Sequence, residues 1–146
     1  MYTLDNTADT KLTHQMERII ALHFDTDVTD YVEGAVVALD PSTSKLVDIA
    51  TGVYPIGFIT SNANARYKEG GATVHTNFAA VVKGKADGAI AVADLLEATS
   101  WDEVNGYTAY KVAAAGKYAC AFALTAVSDT EVVKVGILRS PVSVPV

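Results

Sequence analysis

The stretch Gly116-Lys-Tyr-Ala-Cys-Ala-Phe-Ala-Leu-Thr-Ala-Val-Ser-Asp-Thr-Glu-Val-Val-Lys-Val-Gly-Ile-Leu138 decides the fold class. Tyr118, Cys120, Phe122 and Leu124 alternate with Ala119, Ala121 and Ala123. A period of two marks a strand, because successive side chains leave a pleated backbone on opposite faces. One face is large, the other small, and both are apolar, so both are expected to be covered. After the turn at Ser128-Asp-Thr130, Val133, Val135 and Ile137 repeat the period, and the whole reads as a β-hairpin. Tyr118 and Phe122 are expected to join those three residues in one buried layer. Nothing in the hairpin carries chemistry.

Upstream, short apolar runs recur between turn signals. Ala35–Leu39, Lys45–Ala50, Tyr54–Thr60 and a long run from Ala72 to Lys83 read as strands. Asp40-Pro-Ser-Thr-Ser44 and Asp87-Gly88 read as turns, and Gly84 as a strand end. Ala89–Ala93 and Tyr107–Val112 complete the set, and Leu95–Asn105 has room for one helical turn around Trp101. Met16–Phe24 fits a helical stripe and a strand face, and a strand is preferred. Many short strands with turns between them predict an all-β protein, a small β-barrel or β-sandwich. Gly52, Tyr54 and Phe58 share their spacing with Gly116, Tyr118 and Phe122, which is compatible with two related units closing one barrel or with chance.

The ends differ from the middle. Residues 1–30 are expected to form an extended N-terminal arm with a first strand at its end, residues 31–139 the barrel, and 140–146 an extended C-terminal tail. Residues 1–15 are polar and aperiodic, which predicts mobility until a partner holds them. In the tail, Pro141 and Pro145 lack the N–H that a central strand needs, while Val142, Val144 and Val146 keep alternating. The tail is therefore expected to stay out of the sheet and to serve contact, a frayed end being the alternative. Tyr2, Leu4, Trp101, Pro141, Val142, Val144, Pro145 and Val146 are the candidate contact residues.

Composition narrows the function classes. The 146 residues are 50% hydrophobic but only 8% aromatic, so Ala and Val dominate and closely packed sheets are favoured over a bulky core. The net charge of -6 lacks the basic face that supplies most nucleic-acid affinity, so no nucleic-acid partner is expected. No apolar run approaches the about 18 residues of a membrane span, and no membrane partner is expected. The N-terminus has neither the charged nor the apolar region of a signal peptide, which predicts a protein not secreted by that route. Cys120 is the single cysteine, so no internal disulfide can form, and a strand cysteine of this kind reads as a small buried hydrophobe.

Candidate chemistry is sparse. His14, His23 and His75 have no partner at zinc-ligand spacing. His75 and Cys120 have no third member that would make them a nucleophile pair. The cluster Asp25, Asp27, Asp30 fails the calcium-loop pattern, since positions 6 and 12 hold Asp30 and Val36 instead of Gly and Glu. Gly70, Gly71, Gly84 and Gly88 lack the Lys-Ser/Thr of a phosphate loop. Trp101, Tyr107 and Tyr110 form a stacking platform only if they are exposed together. No catalytic residue, metal ligand or cofactor site is expected.

The order of motifs resembles that of the small β-barrel capsid decoration, or cement, proteins of tailed bacteriophages. The resemblance begins at Gly34-Ala-Val-Val-Ala-Leu39 and the strand Lys45-Leu-Val-Asp-Ile-Ala50. It continues through Pro55-Ile-Gly-Phe58, Gly71-Ala-Thr-Val74 and Val81-Val-Lys-Gly-Lys-Ala86. Gly88-Ala-Ile90 with Asp94, an Ala-Leu-Thr-Ala strand and Val132-Val-Lys-Val-Gly-Ile-Leu138 complete it. Ala93 stands where the family has Gly, and the insert Ala98–Gly106 is longer. The resemblance implies a β-tulip-like barrel without enzymatic activity, a homotrimer bound to the major capsid protein. It implies a protein made in the host cytoplasm and carried on the outer surface of the virion. The alternative expectation is a carbohydrate- or ligand-binding β-module, such as a head-fibre base or tail component.

Overall fold

The structure, a computed structural model, describes residues 19–23, 34–43, 45–50, 53–59, 71–75, 80–102 and 104–146. They hold ten strands and no helix. These are β1 (Ile19–His23), β2 (Val36–Leu39), β3 (Leu46–Asp48), β4 (Gly57–Ile59) and β5 (Gly71–His75). The chain continues with β6 (Val81–Ala86), β7 (Leu95–Asp102), β8 (Tyr107–Val112), β9 (Tyr118–Ala123) and β10 (Val132–Ser143). The protein is all-β, as its alternation predicts. The first five strands form a sheet in the order β1-β5-β4-β2-β3, and the last five close a barrel in the order β10-β6-β8-β7-β9.

Parity governs the barrel. Strands that alternate direction cannot close a ring of odd number, so one pair must run parallel. That pair is β6 and β8, with Lys85 opposite Ala109 and Ala86 opposite Tyr110, while the other four contacts are antiparallel. Barrel width grows with strand number, so five strands leave a narrow lumen. Tyr110 fills its middle and is wholly buried. The neighbours must then be small or slender: Ala86, Ala98, Ala119, Ala121 and Ala123, with Val133, Val135 and Leu96. Gly84 lies inside β6 rather than at its end. A Cβ there would collide with the Tyr110 ring and lie 2.9 Å from the Thr108 carbonyl oxygen.

This narrowness reverses one expectation. The alanine face of β9 points inward, with Ala123 opposite Val135 and Ala121 opposite both Ile137 and Leu96. The large face points out. Phe122 opposes Leu95 on one side and Gly136 on the other, and its ring lies where a Gly136 Cβ would sit, 2.5 Å from Cζ. Val133, Val135 and Ile137 are buried as expected, but Phe122 is half-buried, and Tyr118 and Leu124 are exposed.

The sheet meets the barrel through β2. Val36 N–H donates to Thr108 Oγ1 at 2.9 Å, and a Cβ on Gly34 would touch Val82 at 3.3 Å. Val36, Ala38, Ile49 and Phe58 thereby join the barrel residues in one core. The long run Ala72–Lys83 is split, since β5 belongs to the sheet and β6 to the barrel. β1 falls within Met16–Phe24, as preferred. Gly52-Tyr54-Phe58 and Gly116-Tyr118-Phe122 do not build one barrel together, because Phe58 is on β4 of the sheet.

Two further expectations are corrected. Leu95–Asp102 is a strand and holds no helical turn. A register shift between Ala98 and Ser100 leaves Thr99 between ladder partners, which breaks the period-two signal there. Ala89–Ala93 is a turn held by the isolated bridge Ile90–Val127 and by the Ala93 N–H bond to the Ala123 carbonyl.

Candidate functional site

One group of exposed apolar side chains lies where the chain ends. β10 runs past the expected boundary at 139/140. Leu138–Pro141 lie between the partners of Ala121 and Ala119, opposite Cys120 alone, so the strand arches outward. Proline is tolerated at such a bulge because no ladder N–H is needed there. The strand then re-pairs, Val142 with Ala119 and Ser143 with Tyr118. Val144 completes the attachment, donating its N–H to the Lys117 carbonyl and accepting from Gly116 N–H, both at 2.9 Å. The expectation that the prolines keep this segment out of the sheet is thus overturned.

The side chains of this attached tail still face solvent. Val142 is 47% exposed, Val144 is half-buried, and Pro145 and Val146 are exposed. Beside them stands a feature the sequence reading did not single out. Tyr118 and Tyr54 meet edge to face, ring centroids 5.0 Å apart at 81°, and both are exposed, at 38% and 49%. Val53 is exposed next to Tyr54. The matched spacing of Gly52-Tyr54 and Gly116-Tyr118 was the available signal.

The remaining candidates are not gathered there. Trp101 is half-buried on β7, and its ladder partner is Thr108 on β8. Tyr110 is core and Tyr107 half-buried, so the three aromatics do not form an exposed platform together. Tyr2 and Leu4, the arm, and the cluster at Asp25–Asp30 lie outside the described residues.

Under the bulge, Cys120, Pro55, Phe58, Ile137, Arg139 and Pro141 line a cleft of about 30 Å³. That volume suits a water or two and no larger ligand. Burial pushes the Cys120 thiol up to about 12, so it stays neutral and unreactive. His75 is on β5 of the sheet and Cys120 on β9 of the barrel. Among the described residues no group of three metal-ligating side chains occurs, and no helix is long and apolar enough to cross a membrane.

Two polar features remain. Glu97 is 2% exposed, faces Lys111 across the β7–β8 ladder at 3.5 Å, and has no hydrogen-bond partner on either carboxylate oxygen. At the β7–β8 turn, Asp102 accepts from the Asn105 side chain at 2.7 Å, from the Val104 and Asn105 N–H groups, and from Lys85 at 3.2 Å. The Asn105 bonds, then Lys85, hold its carboxyl down at about 2. The Asp102 bonds tie this turn to β6 through Lys85. Comparison with protein-family models and with curated proteins returns no match.

Proposed function

We propose that this chain is a structural virion protein that decorates and cements the outer surface of a bacteriophage head, as a homotrimer bound to the major capsid protein. The observation that carries the reading is the exposed edge-to-face pair Tyr54–Tyr118, beside a re-paired tail whose Val142 and Val146 are exposed as well. Exposed apolar clusters of this kind mark protein contacts. The motif order gives independent support at the backbone level. Gly34, which opens the pattern, has φ of 92°, and Ala93, standing at a family glycine, has φ of 70°. Both positions need the left-handed conformation that glycine adopts freely.

The physical logic is avidity. Several weak contacts on one oligomer act together, so a repeated capsid lattice holds it far more tightly than one subunit would. This role needs no catalytic group. The carbohydrate-binding alternative loses support because Tyr110 is buried away from Trp101 and Tyr107.

Cosedimentation with heads of the encoding phage that lack their decoration tests the proposal. Purified protein should pellet with heads saturably, and Tyr118→Glu should weaken that binding while circular dichroism shows the variant still folded. Failure of the folded wild-type protein to pellet would overturn it.

A further inference from the structure

The outer wall of the barrel carries a second surface, distinct from the tail end. One cross-strand row, Leu95–Phe122–Gly136–Val81, runs over β7, β9, β10 and β6 with Leu95, Phe122 and Val81 outward and the Phe122 ring over Gly136. Leu95 is 41% and Val81 64% exposed. The next row up the wall sets Lys134 directly opposite Lys83. Neither lysine pairs with a carboxylate among the described residues. Like charges directly opposed on a ladder are destabilising, so this arrangement favours an anionic group brought from outside. A chain of net charge -6 thus presents a wall that is apolar and cationic.

The chain also carries the complement. Two loops meet at one end of the barrel through the Ile90–Val127 bridge. They present Asp87, Asp94, Asp129 and Glu131, together with Val92, which is among the exposed hydrophobic residues. Asp94, Asp129 and Glu131 accept N–H groups of Ala91, Gly88 and Ser128, which fixes their positions, and none of the four pairs with a cation among the described residues. A loop end with an exposed valine and four acids is complementary to an apolar stripe that has two lysines in the next row.

We infer that the wall around Val81, Phe122, Lys83 and Lys134 is a homotypic docking face that receives the acidic rim bearing Val92 of a second copy of this chain. One copy's wall meets another copy's rim, so the contact is heterologous, and it forms a ring where the rotation between copies closes. The complementary charges set partner choice and orientation, and the apolar row supplies the buried area. This deepens the oligomeric part of the proposed function by naming the surfaces that meet.

Sedimentation equilibrium on the purified full chain tests the contact, with circular dichroism melts to confirm that each variant is folded. The wild type should self-associate. The pair Lys83→Glu with Lys134→Glu should raise the dissociation constant by about tenfold or more. Adding Asp87→Lys and Glu131→Lys to that pair should restore association. Val81→Glu, which leaves the lysines in place, should dissociate the oligomer as well. A monomeric wild type, an unaffected double variant, or a fourfold variant that stays apart while folded would each overturn the inference. The head-binding assay stands apart from these outcomes: protein that pellets with heads while monomeric in solution refutes the wall–rim contact and leaves capsid decoration intact.

Discussion

Ala93 holds a left-handed backbone, φ 70°, at the turn before Asp94. An L-residue with a Cβ pays roughly 1–2 kcal/mol for that conformation, and glycine offsets part of the gain through its freer unfolded chain. Ala93→Gly is therefore expected to stabilise the protein by about 0.5–1 kcal/mol in urea denaturation; an unchanged or lower midpoint would contradict the strain. Asp102 gives a pH-dependent counterpart. Its carboxyl is depressed from 3.8 to about 2, so its contribution is complete above the ordinary value and is lost as pH falls through about 2. Asp102→Asn should be less stable than wild type near neutrality, and the gap should close across that acid window. A gap independent of pH would assign Asp102 no electrostatic role. Sequence reading found the Cys120 burial and the Gly88 turn, because each depends on local pattern. It missed Gly84, whose reason is the ring of Tyr110 from another strand, and Glu97, whose burial no local signal announces.

Strands were legible wherever alternation was clean. The β9–β10 hairpin follows from period two and its turn, and β2 from a short apolar run that ends at the Asp40–Ser44 turn. β7 was obscured by its bulge at Thr99, and the inward face of β9 was misjudged because size alone suggested that Tyr118 and Phe122 fill the core. Which face turns in depends on the lumen left by Tyr110, a property of the closed barrel. The tail shows the same limit, since Pro141 forbids pairing only at its own position and the bulge carries the strand past it. The consequence is testable. Ending the chain at Ser140 removes the Val142–Ser143 ladder and two backbone hydrogen bonds of Val144. Those two bonds alone amount to about 1–3 kcal/mol, so the melting temperature should drop by several degrees. Ending it after Val144 should leave stability nearly unchanged. Equal melting of both truncations would show that the tail is not part of the fold.

At the scale of the whole molecule, composition and architecture explain each other. Five strands make a narrow barrel, a narrow barrel takes Ala and Val inside, and the larger apolar residues that remain are left on its wall and at its end. Composition predicted the closely packed sheets; it did not show that the first five strands form a separate sheet, because their register depends on β2 reaching the barrel. The surfaces displaced outward are the ones to which the account gives a role. The most direct test is electron cryomicroscopy of decoration-free phage heads with and without the purified protein. Added oligomeric density is expected on the outer shell, with the end bearing Tyr54, Tyr118 and Val142 turned to the capsid subunits. Heads that show no added density at saturating protein, or density that meets the shell through another face, would contradict it.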